Sequence, residues 1–170
     1  DNSKIASSTN NQSIIWFSEQ LKASIIEINN YFAEYRISDA LKTIYKTIWD
    51  YFCSWYLELI KPPFGEKIDS FTYYKTIDFF KTLMQLLHPF MPFITEEIWH
   101  LLDNNENEND TIMFTNWPVA DTFDEKIIDE FNFIFELIST IRSLKAKYKL
   151  SNNDIVIYYN NLDYKNIIDK

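Results

Sequence analysis

"LLHPFMPFITEEIWHLL" (residues 86–102) is an almost continuous apolar run that holds two prolines, both histidines of the chain and two adjacent glutamates. Two readings compete for it. The chemical one starts from Glu97-x-x-His100, the i, i+3 spacing with which helix bundles bind pairs of metal ions; Glu96 also stands one turn before His100. The architectural one starts from the prolines. Pro89 disfavours helical geometry at His88 and has no N–H to donate, whereas Pro92 suits the first turn of a new helix, where that N–H has no partner. On this reading the segment is a helix break and restart. Phe93, Ile94, Ile98, Leu101 and Leu102 then form the apolar face, and Glu96 and Glu97 fall in the first turns, where acidic groups favour the helix dipole.

The flanking sequence supports the architectural reading. Upstream, Ile14, Phe17, Leu21, Ile25, Ile28, Phe32 and Tyr35 recur at gaps of three and four, one face of a long amphipathic helix. Ser38 is an N-cap candidate for a second helix with Leu41, Ile44, Ile48, Phe52, Trp55 and Leu59 inward, stopped at "KPP" (61–63). Ser70 can cap a third, with Phe71, Tyr74, Ile77, Phe80, Leu83, Met84 and Leu87 inward, ended by His88 and Pro89. Downstream, "DNNENENDT" (103–111) reads as a polar loop and "TIMFTNWP" (111–118) as an extended stretch stopped by Pro118. From Asp121, Ile127, Phe131, Ile134, Ile138 and Ile141 mark a last helix to about Lys149. "DIVIYY" (154–159) is the one strand candidate. The expected fold is mainly α: an antiparallel bundle of four to five helices with a short strand-like C-terminal segment. Residues 1–11 form a polar lead-in, 12–150 the bundle, and 151–170 the start of a truncated C-terminal element.

Bulk properties narrow the function. Aromatics make up 18% of the 170 residues and glycine occurs once, which disfavours a β-rich fold that turns on glycine. The single cysteine, Cys53, excludes an internal disulfide framework and suits a reducing, cytoplasmic setting. No apolar run reaches membrane-spanning length. The net charge of −9 argues against a chain that grips a nucleic-acid backbone, DNA included, over its whole surface. Lacking an initiator methionine and ending without punctuation, the chain is expected to be a piece of a longer protein.

Chemical sites fare poorly. A carboxylate-bridged metal pair needs a second Glu-x-x-His, and two histidines with one cysteine on three segments fall short of a zinc set. Cys53 lacks a glycine-lined turn and a third partner, and Gly65 stands alone without a phosphate loop. No catalytic and no metal-ligating residue is assigned, and no cofactor is expected in this piece. Two features remain. "IRSLKAKYK" gathers Arg142, Lys145, Lys147 and Lys149 near a helix C-terminus, where cations favour the dipole in any case. One flank of the second helix sets Tyr45, Trp49 and Tyr56 beside Lys42, Lys46 and Cys53, and aromatic faces bordered by lysine suit unstacked bases. Packing of those aromatics against a neighbouring helix explains the same pattern.

"YRISDALKTIYKTIWDYFCSWYLELIKP" (35–62), "LLHPFMPFITEEIWHLL" (86–102) and "NWP" (116–118) follow one another with natural spacing. Together they resemble the anticodon-binding helical domain of the valyl-tRNA synthetase family over roughly residues 12–150. W-x-x-F-C-x-W-Y-L-E followed by K-P is typical of the valine enzymes. The isoleucine and leucine enzymes, which share the proline-punctuated string but differ across the second helix, are the nearest alternatives; a protein-interaction bundle without RNA binding is the other.

The resemblance implies a parent that uses ATP and magnesium to charge tRNA(Val), with this piece holding the anticodon stem-loop and meeting the parent's other domains. The family's catalytic strings, H-I-G-H and K-M-S-K-S, are absent here. Arg36, Lys42, Lys46, Trp49 and Phe52 are the implied candidates for the anticodon bases. Arg142, Lys145, Lys147 and Lys149 are those for the phosphates.

Overall fold

The computed structural model describes residues 8–103 and 111–149. Its elements are α1 (Ser8–Ala33), α2 (Ile37–Lys46), a π-helical segment (Thr47–Tyr56), α3 (Leu57–Leu59), α4 (Ser70–Leu87), α5 (Pro92–Asp103), a 3-10 turn (Ile112–Phe114) and α6 (Glu125–Tyr148). The structure is mainly α, and no strand occurs among the described residues. The strand candidate at 154–159, most of the lead-in and most of the acidic loop lie outside them. The chain divides into two compact units, residues 1–123 and 124–170. The first carries α1 to the 3-10 turn, and the second carries α6.

In the first unit α1 buries Ile14, Phe17, Leu21, Ile25 and Ile28, the stripe its spacing predicts. It stops earlier than expected. Tyr35 has φ 57°, its N–H bonds to Phe32 O at 3.1 Å, and the Arg36 N–H reaches back to Tyr31 O at 2.8 Å. This is a Schellman-type end with tyrosine where glycine is usual. Tyr35 is therefore thrown outward, 89% exposed, instead of extending the stripe.

The second helix departs further from its expected register. Its buried positions are Ala40, Ile44, Thr47, Phe52, Tyr56 and Ile60, with a gap of five between Thr47 and Phe52. One extra residue per turn is what a π segment inserts, and Ser54 Oγ donates to the carbonyl five residues back, Trp49 O, at 2.9 Å. Ile48 and Trp55 are consequently half-buried and Tyr56 enters the core, while Leu41, upstream of the segment, is exposed beside the buried Ala40 and Ile44. Phe17 packs there against Tyr56, Phe79 and Phe52 at centroid distances of 4.9, 5.0 and 5.3 Å. Burial pushes the Tyr56 hydroxyl up to about 12, while its bond to Thr76 Oγ1 at 2.9 Å works the other way.

Asp69, not Ser70, caps α4: its carboxylate accepts from the Thr72 N–H at 2.8 Å and from the Thr72 hydroxyl at 2.7 Å. Although partial burial opposes it, these bonds and one from Asn10 hold that carboxyl below its ordinary range. Thr72, Phe79, Leu83, Met84 and Leu86 are the buried residues of α4, leaving Phe71 and Tyr74 exposed against expectation. Ser38 likewise lies inside α2, whose N-cap is Arg36.

The break itself falls where the prolines require. α4 ends at Leu87 and α5 begins at Pro92. His88 Nδ1 meets the buried Thr95 Oγ1 at 2.7 Å, which ties the end of one helix to the start of the next. His100 Nε2 stands 3.2 Å from Glu96 Oε1, and that oxygen also accepts from the Ile112 N–H at 3.3 Å. Both histidines thus serve the joints of the fold. Among the described residues no three His, Cys, Asp or Glu side chains gather as a metal-binding group. The inward face of α5 is Thr95 and Trp99; Phe93, Ile94 and Leu101 are exposed, contrary to the apolar pattern.

A 3-10 turn replaces the first part of the expected extended stretch before "NWP" returns to the bundle. Trp117 Nε1 donates to Asn29 Oδ1 at 2.8 Å, and the ring meets Phe32 edge-on at 5.6 Å. In the second unit α6 starts at Glu125 behind an Asp124 cap and ends at Tyr148, with a left-handed Lys149 as its C-cap. Ile128 and Phe135 are its buried residues.

Candidate nucleic-acid interface

The turn between α1 and α2, the outer face of α2 and the first turn of the π segment bring four of the five base-reading candidates onto exposed surface. Arg36, at the start of α2, lies over the Tyr31 ring at 4.6 Å and pairs with Asp39 at 3.0 Å and Glu34 at 3.3 Å. Hydrogen bonds to Asp39 and then Glu34 raise its already high pKa. Lys42 pairs with the same Asp39 at 3.1 Å, so that Lys42 first and Arg36 second hold the Asp39 carboxyl below its ordinary range. The arrangement is a charged Arg36–Asp39–Lys42 chain on the surface, open to exchange its partners because exposed ion pairs contribute little stability.

One turn further on, Tyr45 and Trp49 stack on each other with centroids 6.5 Å apart and planes inclined by 16°. They are 63% and 59% exposed, which leaves aromatic faces to solvent. Lys42, Tyr45 and Trp49 stand at i, i+3 and i+7, a single helical face. Lys46 turns aside: its Nζ lies over the Tyr51 ring at 5.2 Å, and hydrogen bonding to Tyr51 raises its pKa. Cys53 is half-buried and burial pushes its thiol up, which makes it a poor nucleophile.

Phe52 does not join this surface. It is 3% exposed, stacked on Tyr56 at 5.5 Å and Phe80 at 5.9 Å, and has no free face for a base. Tyr35 was missed in the opposite sense. Its spacing placed it on the core stripe, and only the left-handed turn, for which the sequence has no glycine, exposes it beside Arg36. Of the phosphate candidates, Arg142, Lys147 and Lys149 are exposed and Lys145 is half-buried on the last turns of α6. They belong to the second unit.

An exposed aromatic pair edged by cations offers stacking to bases and charge to a backbone, the chemistry by which single-stranded RNA loops are held. Residues 15–157 match the family model described as the anticodon-binding domain of tRNA ligase, and the chain belongs to that family.

Its relatives point to one kind of ligase. It is 44% identical over 140 residues to the valine–tRNA ligase of Phocaeicola vulgatus, covering 82% of this chain and 16% of that protein. It is 41% identical over 143 residues to that of Christiangramia forsetii, covering 84% and 16%. With that of Rhizobium meliloti it shares 35% identity over 140 residues, covering 78% and 14%. The chain thus spans about a sixth of the length of the curated relatives it matches.

Proposed function

We propose that this chain is the anticodon-binding domain of a valine–tRNA ligase and holds the anticodon loop of tRNA(Val) while the ligase's other domains charge the 3′ end with ATP and magnesium. The observation that carries the residue-level reading is the exposed Tyr45–Trp49 stack bordered by Lys42 and the Arg36 turn. Trp49 stacks a loop base, Lys42, Lys46 and Arg36 engage base edges or the adjoining phosphates, and Phe52 is left out because it is enclosed. Arg142, Lys145, Lys147 and Lys149 contact tRNA phosphates. The working setting is the cytoplasm, with neither membrane nor DNA as partner; no described helix is long and apolar enough to cross a membrane. The domain is proposed to extend over residues 12–150.

A net charge of −9 requires that much of the backbone grip come from the rest of the ligase. The test therefore uses the full-length parent. Binding of tRNA(Val) is compared with that of the same tRNA carrying a swapped anticodon, at several salt concentrations. Anticodon-dependent binding supports the reading, and equal binding of both tRNAs contradicts it. Preference for an isoleucine or leucine tRNA would reassign the parent. Lys145→Ala is expected to weaken both tRNAs alike and flatten the salt dependence.

A further inference from the structure

The last turn of α1 is held by two segments that lie far from it in sequence. Asn29 Oδ1 accepts the Trp117 indole N–H at 2.8 Å. One turn on, the Phe32 ring stacks on Phe90 of the helix break, with centroids 6.2 Å apart and planes inclined by 17°, and meets the Trp117 ring edge-on at 5.6 Å. Asn29 and Phe32 stand at i and i+3, so both contacts fall on one face of the helix. The chain beside Trp117 is itself tied to α4, where Gln85 Nε2 donates to Asn116 O at 3.3 Å. Asn29, Phe32, Phe90 and Trp117 are all half-buried.

The turn that presents Arg36 hangs from this last turn of α1. Tyr31 and Phe32 supply the carbonyls that close it, accepting the Arg36 N–H at 2.8 Å and the Tyr35 N–H at 3.1 Å. The Tyr31 ring also lies under the Arg36 guanidinium at 4.6 Å. Between them Tyr35 is left-handed at φ 57°, a conformation unfavourable for a bulky residue that persists where surrounding contacts over-determine it. The turn's own side chains constrain it weakly. Tyr35 is 89% exposed, the N-cap of α2 makes no side-chain hydrogen bond, and the Arg36 ion pairs are at the surface. The constraint comes from the other face of the same helical turn, where Asn29 and Phe32 are gripped.

We propose that Asn29 and Trp117 are positioning residues: their hydrogen bond, with the Phe32 stack beside it, fixes the end of α1 so that Arg36 meets the RNA in one orientation. A guanidinium held in place loses less conformational freedom on binding, which strengthens a complex without adding a contact. Resting on the anticodon-binding reading of Arg36, this gives a binding role to two residues that touch no RNA themselves.

The test is a double-mutant cycle in the full-length ligase, read as binding of tRNA(Val). Asn29→Leu and Trp117→Phe each remove the hydrogen bond and are expected to weaken binding about fivefold, within the range of coupling between linked residues. In an Arg36→Ala ligase no guanidinium remains to be positioned, and the same substitutions should cost about twofold or less. Asn29→Asp keeps an acceptor oxygen for the indole and should bind within about twofold of wild type. Should Trp117→Phe melt well below wild type, Asn29→Leu set against Asn29→Asp decides by the same cycle. Losses of equal size with and without Arg36 would assign the tie to the framework of the bundle and overturn the proposal, as would wild-type binding by both Asn29→Leu and Trp117→Phe. If Arg36→Ala alone binds as wild type does, the role of Arg36 falls and this one with it, whereas anticodon-dependent binding by the wild-type ligase would still stand.

Discussion

The break at residues 88–92 and the π segment at Thr47–Tyr56 both interrupt a regular helix, yet they leave different traces in the sequence. At the break, Pro89 and Pro92 act through their own covalent structure, so the ends of α4 and α5 can be placed from two residues. In the π segment no residue type demands the extra residue per turn. It is paid for by the packing of Phe52 and Tyr56 against Phe17 and Phe79, contacts made with distant parts of the chain. Local backbone chemistry is thus readable in isolation, whereas helical phase is settled by tertiary contacts.

The same distinction explains what could and could not be read elsewhere. The stripe of α1 from Ile14 to Ile28 is undisturbed α-helix, and every expected inward residue is buried. Beyond Thr47 a 3.6-residue period accumulates about one residue of error, which turned Trp55 inward on paper and left Tyr56 on the flank. In α4 and α5 apolar residues cover more of the circumference than the core uses. Phe71, Tyr74, Phe93 and Leu101 therefore misled a reading that equates apolar with buried. Among the candidate site residues, Lys42 and Trp49 lie on the exposed flank that a 3.6-residue period gives them, because they precede or barely enter the π segment.

The largest expected effect separates the two sides of that segment. Phe52→Ala should destabilise the protein by about 3–5 kcal/mol, as for other buried phenylalanines. Denaturant unfolding of wild type and variant checks this, and a cost near zero would mean that the π register is wrong.

Next is the pH dependence of Tyr56, the residue this register brings inside. Its folded pKa of about 12 lies above the ordinary tyrosine value of 10.0, so the native state retains the proton that the unfolded chain loses. The associated stability, about 3 kcal/mol, is fully present below pH ~10 and is lost as pH rises towards ~12. Tyr56→Phe should flatten that part of a stability–pH profile; an unchanged slope would place Tyr56 outside the core.

Smaller again is the effect of deleting Asp50, an exposed residue of the π segment. Its loss shortens the Thr47–Phe52 gap to four and lets a plain α-helix carry the same core. The fold should survive with a cost under about 2 kcal/mol, whereas the cost of overpacking or turning a core face would exceed it. Calorimetry distinguishes these, and complete unfolding would contradict the account of an accommodated extra residue. Tyr35→Gly is expected to act in the opposite direction. It removes a left-handed tyrosine from the end of α1 and should raise stability by about 1 kcal/mol, read as a higher melting temperature.

The most direct measurement of the central claim is the effect of Trp49→Ala in the full-length ligase on the binding of tRNA(Val) and of its anticodon-swapped counterpart. Trp49 is 59% exposed, so the variant should unfold at nearly the wild-type denaturant midpoint. It should nevertheless bind tRNA(Val) more weakly by about 1–3 kcal/mol, the worth of one stacked base, with a much smaller loss for the swapped tRNA. A variant that loses stability but discriminates between the two tRNAs as well as wild type does would assign Trp49 to the framework of the bundle and contradict the account.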